Sequence, residues 1–178
     1  HFEKGIPTAV DGKEMESVAE YLGKSVLREV DEDEFMKNIA DIRSSCGDRA
    51  VLRAMHFYGD NARVEKQAAA LKAGDFETFK KYIIESGRSS YMYNQNVYSC
   101  KKASEQPVSL ALSLSEKLLD GCGAWRVHGG GFAGTIQAFV PLEMLQQFKM
   151  NIERTFGAGS CHVLSVRPIG GTEVSIEE

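Results

Sequence analysis

The sequence predicts an α+β protein, an antiparallel sheet backed by helices, with a helical extension at its N-terminal end. Three observations carry this expectation. The first two thirds of the chain show apolar residues at helical spacing, with recognisable start and stop signals. The pattern then shifts to short β-branched and aromatic runs on either side of a glycine cluster at 129–134. Helices first, then strand, strand, helix and strand, is the order of an α+β layout rather than of alternating βαβ units.

The elements follow in order. A short helical pattern runs from Glu14 to Leu22. Asp31, with Glu34 three residues on, makes a capping pair for a helix through Ile42, and Gly47 ends it. Asp48 is expected to cap a long helix to Ala73 that carries Val51, Leu52, Met55, Ala62, Ala69 and Leu71, with Gly59 as a tolerated weak point. Gly74 closes it. Asp75 caps the next helix, in which Phe76, Phe79, Tyr82 and Ile83 form one apolar stripe. The segment from Ser86 to Ser104 is polar and aromatic, with three tyrosines beside Asn and Ser, and reads as an ordered, substrate-facing connection. A helix then opens at Ser104 or Glu105, takes Pro107 in its first turn and turns Val108, Ala111, Leu112, Leu118 and Leu119 inward. AWRVH (124–128) and TIQAFV (135–140) are strands. Pro141 starts a helix whose face is Leu145, Phe148, Ile152 and Phe156, Gly157 stops it, HVLSVRP (162–168) is a third strand, and GTEVSIEE (171–178) adds an edge strand. With no internal repeat or low-complexity linker, residues 1–178 read as one domain, of which 1–47 is the helical extension.

Composition narrows the function. At 178 residues and 43% hydrophobic content, the chain can bury one sizeable core or two small ones. A net charge of -4, with no basic tract, argues against nucleic acid and anionic membrane as partners. No apolar run reaches the ~20 residues of a membrane span, and HFEKGIPTAV lacks the apolar core of a signal peptide, so a cytoplasmic protein is expected. A chain opening on His1 rather than Met reads as a piece of a larger protein. Cys46, Cys100, Cys122 and Cys161 stand too far apart for a short-spaced metal motif, and they read as reduced thiols rather than as a metal site with His128 and His162.

The glycine cluster Gly129, Gly130, Gly131, Phe132, Ala133 and Gly134 fits the letters of a dinucleotide-binding fingerprint, but that site needs a helix after the loop, and TIQAFV is a strand. A protein-kinase loop does lie between strands, yet the chain has no VAIK-like lysine, HRD or DFG. Gly23-Lys24-Ser25 ends like a phosphate-binding motif, but Val18 occupies the place of its first glycine, so it reads as surface. What remains is a loop with little side chain, free to adopt positive φ and to bring successive N–H groups close to an anion. The plain alternative is a tight strand connection.

AWRVHGGGFAGTIQAFVP resembles the third signature motif of the galactokinase branch of the GHMP kinases, a glycine cluster, a Phe and a further glycine leading into a strand. Upstream, HFYGDNARVEKQAAALKAGDFETFKKYIIESGRSS (56–90) is similar to the helical segment of that family, where His and Arg precede an Ala-rich helix, Gly-Asp and a Ser-rich loop. The resemblance covers roughly residues 48–167. It implies that 48–178 is the ferredoxin-like C-terminal domain of a GHMP kinase. Ala133, His128, Gly87 and the CKKAS segment depart from the usual pattern and bear on which sugar is taken.

The resemblance also implies an activity: transfer of the γ-phosphoryl of MgATP to the C1 hydroxyl of galactose, with the glycine loop 129–134 at the active-site cleft, flanked by Arg126 and His128. The sugar-recognition and main ATP-binding strings of the family, GRxNLIGEH-like and PxGxGLSSS-like, do not occur here. No catalytic residue is therefore expected in this chain, no resident metal, and no activity without an N-terminal kinase domain. Kinases of the same superfamily acting on mevalonate or homoserine, and a non-catalytic ligand-sensing module, stay open as alternatives.

Overall fold

A computed structural model describes residues 9–131 and 134–166 of the chain. Within them lie seven α-helices and one antiparallel two-stranded sheet: α1 (Ala9–Tyr21), α2 (Glu32–Lys37), α3 (Ile39–Cys46), α4 (Asp48–Ala73), α5 (Phe76–Ser89), α6 (Pro107–Leu119), β1 (Ala124–Val127), β2 (Ile136–Phe139) and α7 (Leu145–Phe156). The α+β class holds. No described helix is long and apolar enough to cross a membrane.

Local chemistry explains most boundaries. The Asp31 carboxylate accepts from the Asp33 amide at 2.9 Å, as an N-cap should. The helix it opens stops at Lys37, however, so the single helix expected through Ile42 is two. Asn38 makes the break: its side-chain amide donates back to the Glu34 carbonyl at 2.8 Å while its backbone, at φ -100° and ψ 8°, leaves helical geometry. Gly47, at φ 88°, ends α3 and also occupies the N-cap of α4, so Asp48 is the first helical residue rather than the cap, its carboxylate paired with Arg43. Asp75 does cap α5, accepting from the Thr78 amide at 3.0 Å, and Pro107 sits in the first turn of α6.

Two apolar cores result. The first joins α1, α2, α3 and the front half of α4 through Val18, Phe35, Ile42, Ala54 and Tyr58. Tyr58 is tied in by its hydroxyl, which donates to the Leu27 and Val30 carbonyls; burial, reinforced by Glu32, Asp31 and Glu34, pushes its phenol up to about 12. The second core lies among α6, the sheet and α7, and holds Val108, Leu112, Leu119, Trp125, Val127, Phe148 and Ile152.

Not every apolar position at helical spacing is buried. On α4, Ala62, Ala69 and Leu71 face solvent, while Ala54, Tyr58 and Ala70 are buried. Phe76, in the first turn of α5, is 63% exposed and lies outside the stripe that Ile83 anchors. Strand register pairs Trp125 with Ala138 and Val127 with Ile136. The expected third strand does not form over His162–Val166, whose backbone pairs with neither strand; Val163, Leu164 and Val166 are exposed there. A short β-branched run is a strand only where a neighbouring edge meets it. Arg167 and Pro168, and the edge strand expected at 171–178, lie outside the described residues.

Candidate active-site loop and its polar support

The glycine cluster is the connection between β1 and β2. The ladder continues one step past the strand end, where the His128 amide donates to the Thr135 carbonyl at 3.0 Å, and the Gly134 amide closes a turn on the Gly131 carbonyl at 3.1 Å. Gly129, Gly131 and Gly134 have φ of 61°, 83° and 83°, in the left-handed region that a Cβ penalises. Gly129 and Gly130 are exposed, whereas Gly131 is buried. Phe132 and Ala133 lie outside the described residues. His128 faces solvent, and the Arg126 Nε donates to the carbonyl of Val127 at 3.1 Å. Gly23-Lys24-Ser25 is exposed at the end of α1, as read from its incomplete motif.

Behind the loop lies a layer of buried polar groups that helix periodicity did not reveal. Ser86 and Ser89, on α5, were expected in a connecting loop. Helix α5 instead runs to Ser89 and passes into a five-residue π-turn, Ser90–Asn94. The Ser86 hydroxyl donates to Asp60 Oδ1 at 2.5 Å, and Arg63 pairs with the same oxygen at 3.3 Å. His56 Nδ1 stands 2.9 Å from the Ser89 hydroxyl, and its Nε2 stands 3.8 Å from Asp60 Oδ2. The signal was present in the sequence: His56 and Asp60 are one turn apart on one helix face, and Ser86 and Ser89 are one turn apart on another.

Ser, His and Asp in contact suggest nucleophilic catalysis only if the serine can reach a substrate. Ser89 is 6% exposed and Ser86 fully buried, so the cluster clamps α4 to α5. Burial holds the His56 pKa below its ordinary 6.5, with Arg63 and Arg126 adding to the effect and Asp60 opposing it. The imidazole is neutral at pH 7. The folded state therefore resists a proton that the unfolded chain accepts. Stability from this group is complete above pH 6.5 and falls as the pH drops through the interval down to the lowered folded value. Urea midpoints on either side of pH 6.5 should show that slope, and His56→Gln should flatten it; a slope identical in the variant would remove His56 as its source.

Gly87 follows Ser86 on α5. A Cβ there would lie 2.8 Å from Arg126 Cβ and 3.1 Å from Arg126 Cα, so α5 rests directly on β1. The absence of a side chain at 87, read in the sequence as a matter of sugar choice, is required by this close approach. Among the described residues no three His, Cys, Asp or Glu side chains converge to hold a metal, and the four cysteines are free.

No family model matches the chain. It is similar to the galactokinase of Homo sapiens, 31% identical over 153 residues, which are 86% of this chain and 36% of that protein. The galactokinases of Bos taurus and Canis lupus familiaris align over the same shares at 30% and 29% identity. The chain thus spans just over a third of the length of these curated relatives. The similarity to galactokinases extends over most of this chain's own length and is consistent with a C-terminal galactokinase fragment.

Proposed function

We propose that the protein to which this chain belongs is a galactokinase-like sugar kinase of the cytoplasm, which transfers the γ-phosphoryl of ATP to the C1 hydroxyl of galactose. The observation that carries the reading is the similarity to galactokinases along 86% of the chain. Residues 1–178 are proposed to act as one unit, with 48–178 as a ferredoxin-like GHMP domain whose hairpin loop, 129–134, forms one wall of the cleft. Glycines at positive φ, two of the loop's residues exposed, and open space where a Cβ on Gly129 would stand fit the close approach of a phosphate group. MgATP supplies the transferred group and its charge neutralisation.

Phosphoryl transfer relies on positioning and electrostatic stabilisation by both walls of a cleft. This chain alone is therefore expected to be inactive. ADP release from MgATP should be galactose-dependent for the product of the whole reading frame and absent for this chain. Turnover by the whole product with mevalonate or homoserine, and not galactose, would move the assignment to another GHMP kinase. A well-folded whole product that turns over no acceptor would make the domain a ligand-sensing module.

A further inference from the structure

Asn96 is 2% exposed and sits between the polar layer and the glycine hairpin. Its Oδ1 accepts from the Ser90 hydroxyl at 3.1 Å, and its Nδ2 donates to the Gly130 carbonyl at 3.4 Å, a long bond. A Cβ on Gly131 would lie 2.9 Å from Asn96 Cγ and Nδ2 and would also strike its backbone carbonyl. Side chain and main chain of one residue thus both touch the loop.

The backbone that delivers Asn96 is unusual. It follows the π-turn Ser90–Asn94, and Gln95, at φ 52° and ψ 39°, is the one non-glycine residue with positive φ among the described residues. Strained residues and π-turns persist where surrounding contacts enforce them, and they cluster at functional sites. Here the contacts are visible. The Arg53 guanidinium donates to the Asn94 carbonyl at 3.5 Å, and Ser89, just before the turn, meets His56.

The consequence follows from peptide geometry. In a trans peptide the carbonyl of one residue and the N–H of the next point in opposite directions. Holding the Gly130 carbonyl toward Asn96 therefore aims the Gly131 N–H the other way. We propose that Asn96 is a positioning residue, which fixes the Gly130–Gly131 peptide plane so that the Gly131 amide is presented to a phosphate oxygen of the nucleotide. This rests on the reading of the hairpin as the cleft wall.

The test uses the intact protein. Asn96→Asp keeps the size of the side chain and the acceptor for Ser90, but sets a carboxylate oxygen against the Gly130 carbonyl. Asn96→Ala introduces no charge and covers the case in which the aspartate variant does not fold. Hydrogen exchange of the peptide bearing Gly129–Gly131 should rise about tenfold, the scale of one buried hydrogen bond, with exchange in α4 unchanged. Turnover should fall by about tenfold or more while the KM for the sugar stays constant, because the lost interaction belongs to the phosphoryl side. Unchanged loop exchange in both variants would overturn the positioning role itself. A loosened loop with unchanged turnover would instead overturn the reading of the hairpin as active-site wall, and with it the catalytic consequence of Asn96.

Discussion

Gly131→Val in the intact protein is expected to lower galactose-dependent ADP release by about 10²-fold or more, the scale of losing one preorganised donor to a developing charge. Two constraints act together. At φ 83° a β-branched residue is strained, at a cost of about 1–3 kcal/mol. The new Cβ would also meet Asn96 at both its carbonyl and its amide group, so the hairpin must move away from its support. A loss of stability accompanies the loss of turnover, but the second core, centred on Leu119, Trp125 and Phe148, contains neither residue and should keep the protein folded. Steady-state kinetics beside a thermal melt separate the two effects. Native turnover in a folded Gly131→Val protein would remove the hairpin from the active site.

Phe35→Ala should destabilise the protein by about 3–5 kcal/mol, as full truncation of a buried aromatic does. Phe35 is completely buried and its ring centre lies 5.4 Å from that of Tyr58, so little can collapse into the space it leaves. The urea midpoint should fall with an unchanged slope. Tyr58 belongs to α4, the helix that also carries His56 and Asp60, so loss of the first core should loosen the clamp on α5 in the same transition. Two separate transitions in the variant would show that the cores unfold independently, and an unshifted midpoint would contradict the burial of Phe35.

The sequence was most legible where local chemistry decides structure. Asp31 and Asp75 cap through contacts two or three residues away, and Gly74 ends α4 in the left-handed region. The glycine cluster was correctly placed between two strands, because neither flank has helical period. What escaped was decided at longer range. Ser86, Ser89 and Ser90 look like loop residues until Asp60, His56 and Asn96 arrive from other segments to bond them. Asn96 gave no signal at all, since its partners lie 6 and 34 residues away. The break at Asn38 was local but subtle, a side chain competing with the backbone for one carbonyl. His162–Val166 has the composition of a strand, and composition alone cannot supply a neighbour.

Helix α4 is 26 residues long, about 39 Å at the rise of an α-helix, and it packs against α1, α3, α5 and the π-turn. Its Arg53 pairs with Glu14 of α1 and also reaches Asn94, the last residue of the π-turn. One side chain on this rod thus ties α1 to the turn that precedes Asn96. The hairpin thus inherits its aim from a bundle whose apolar interior it does not enter.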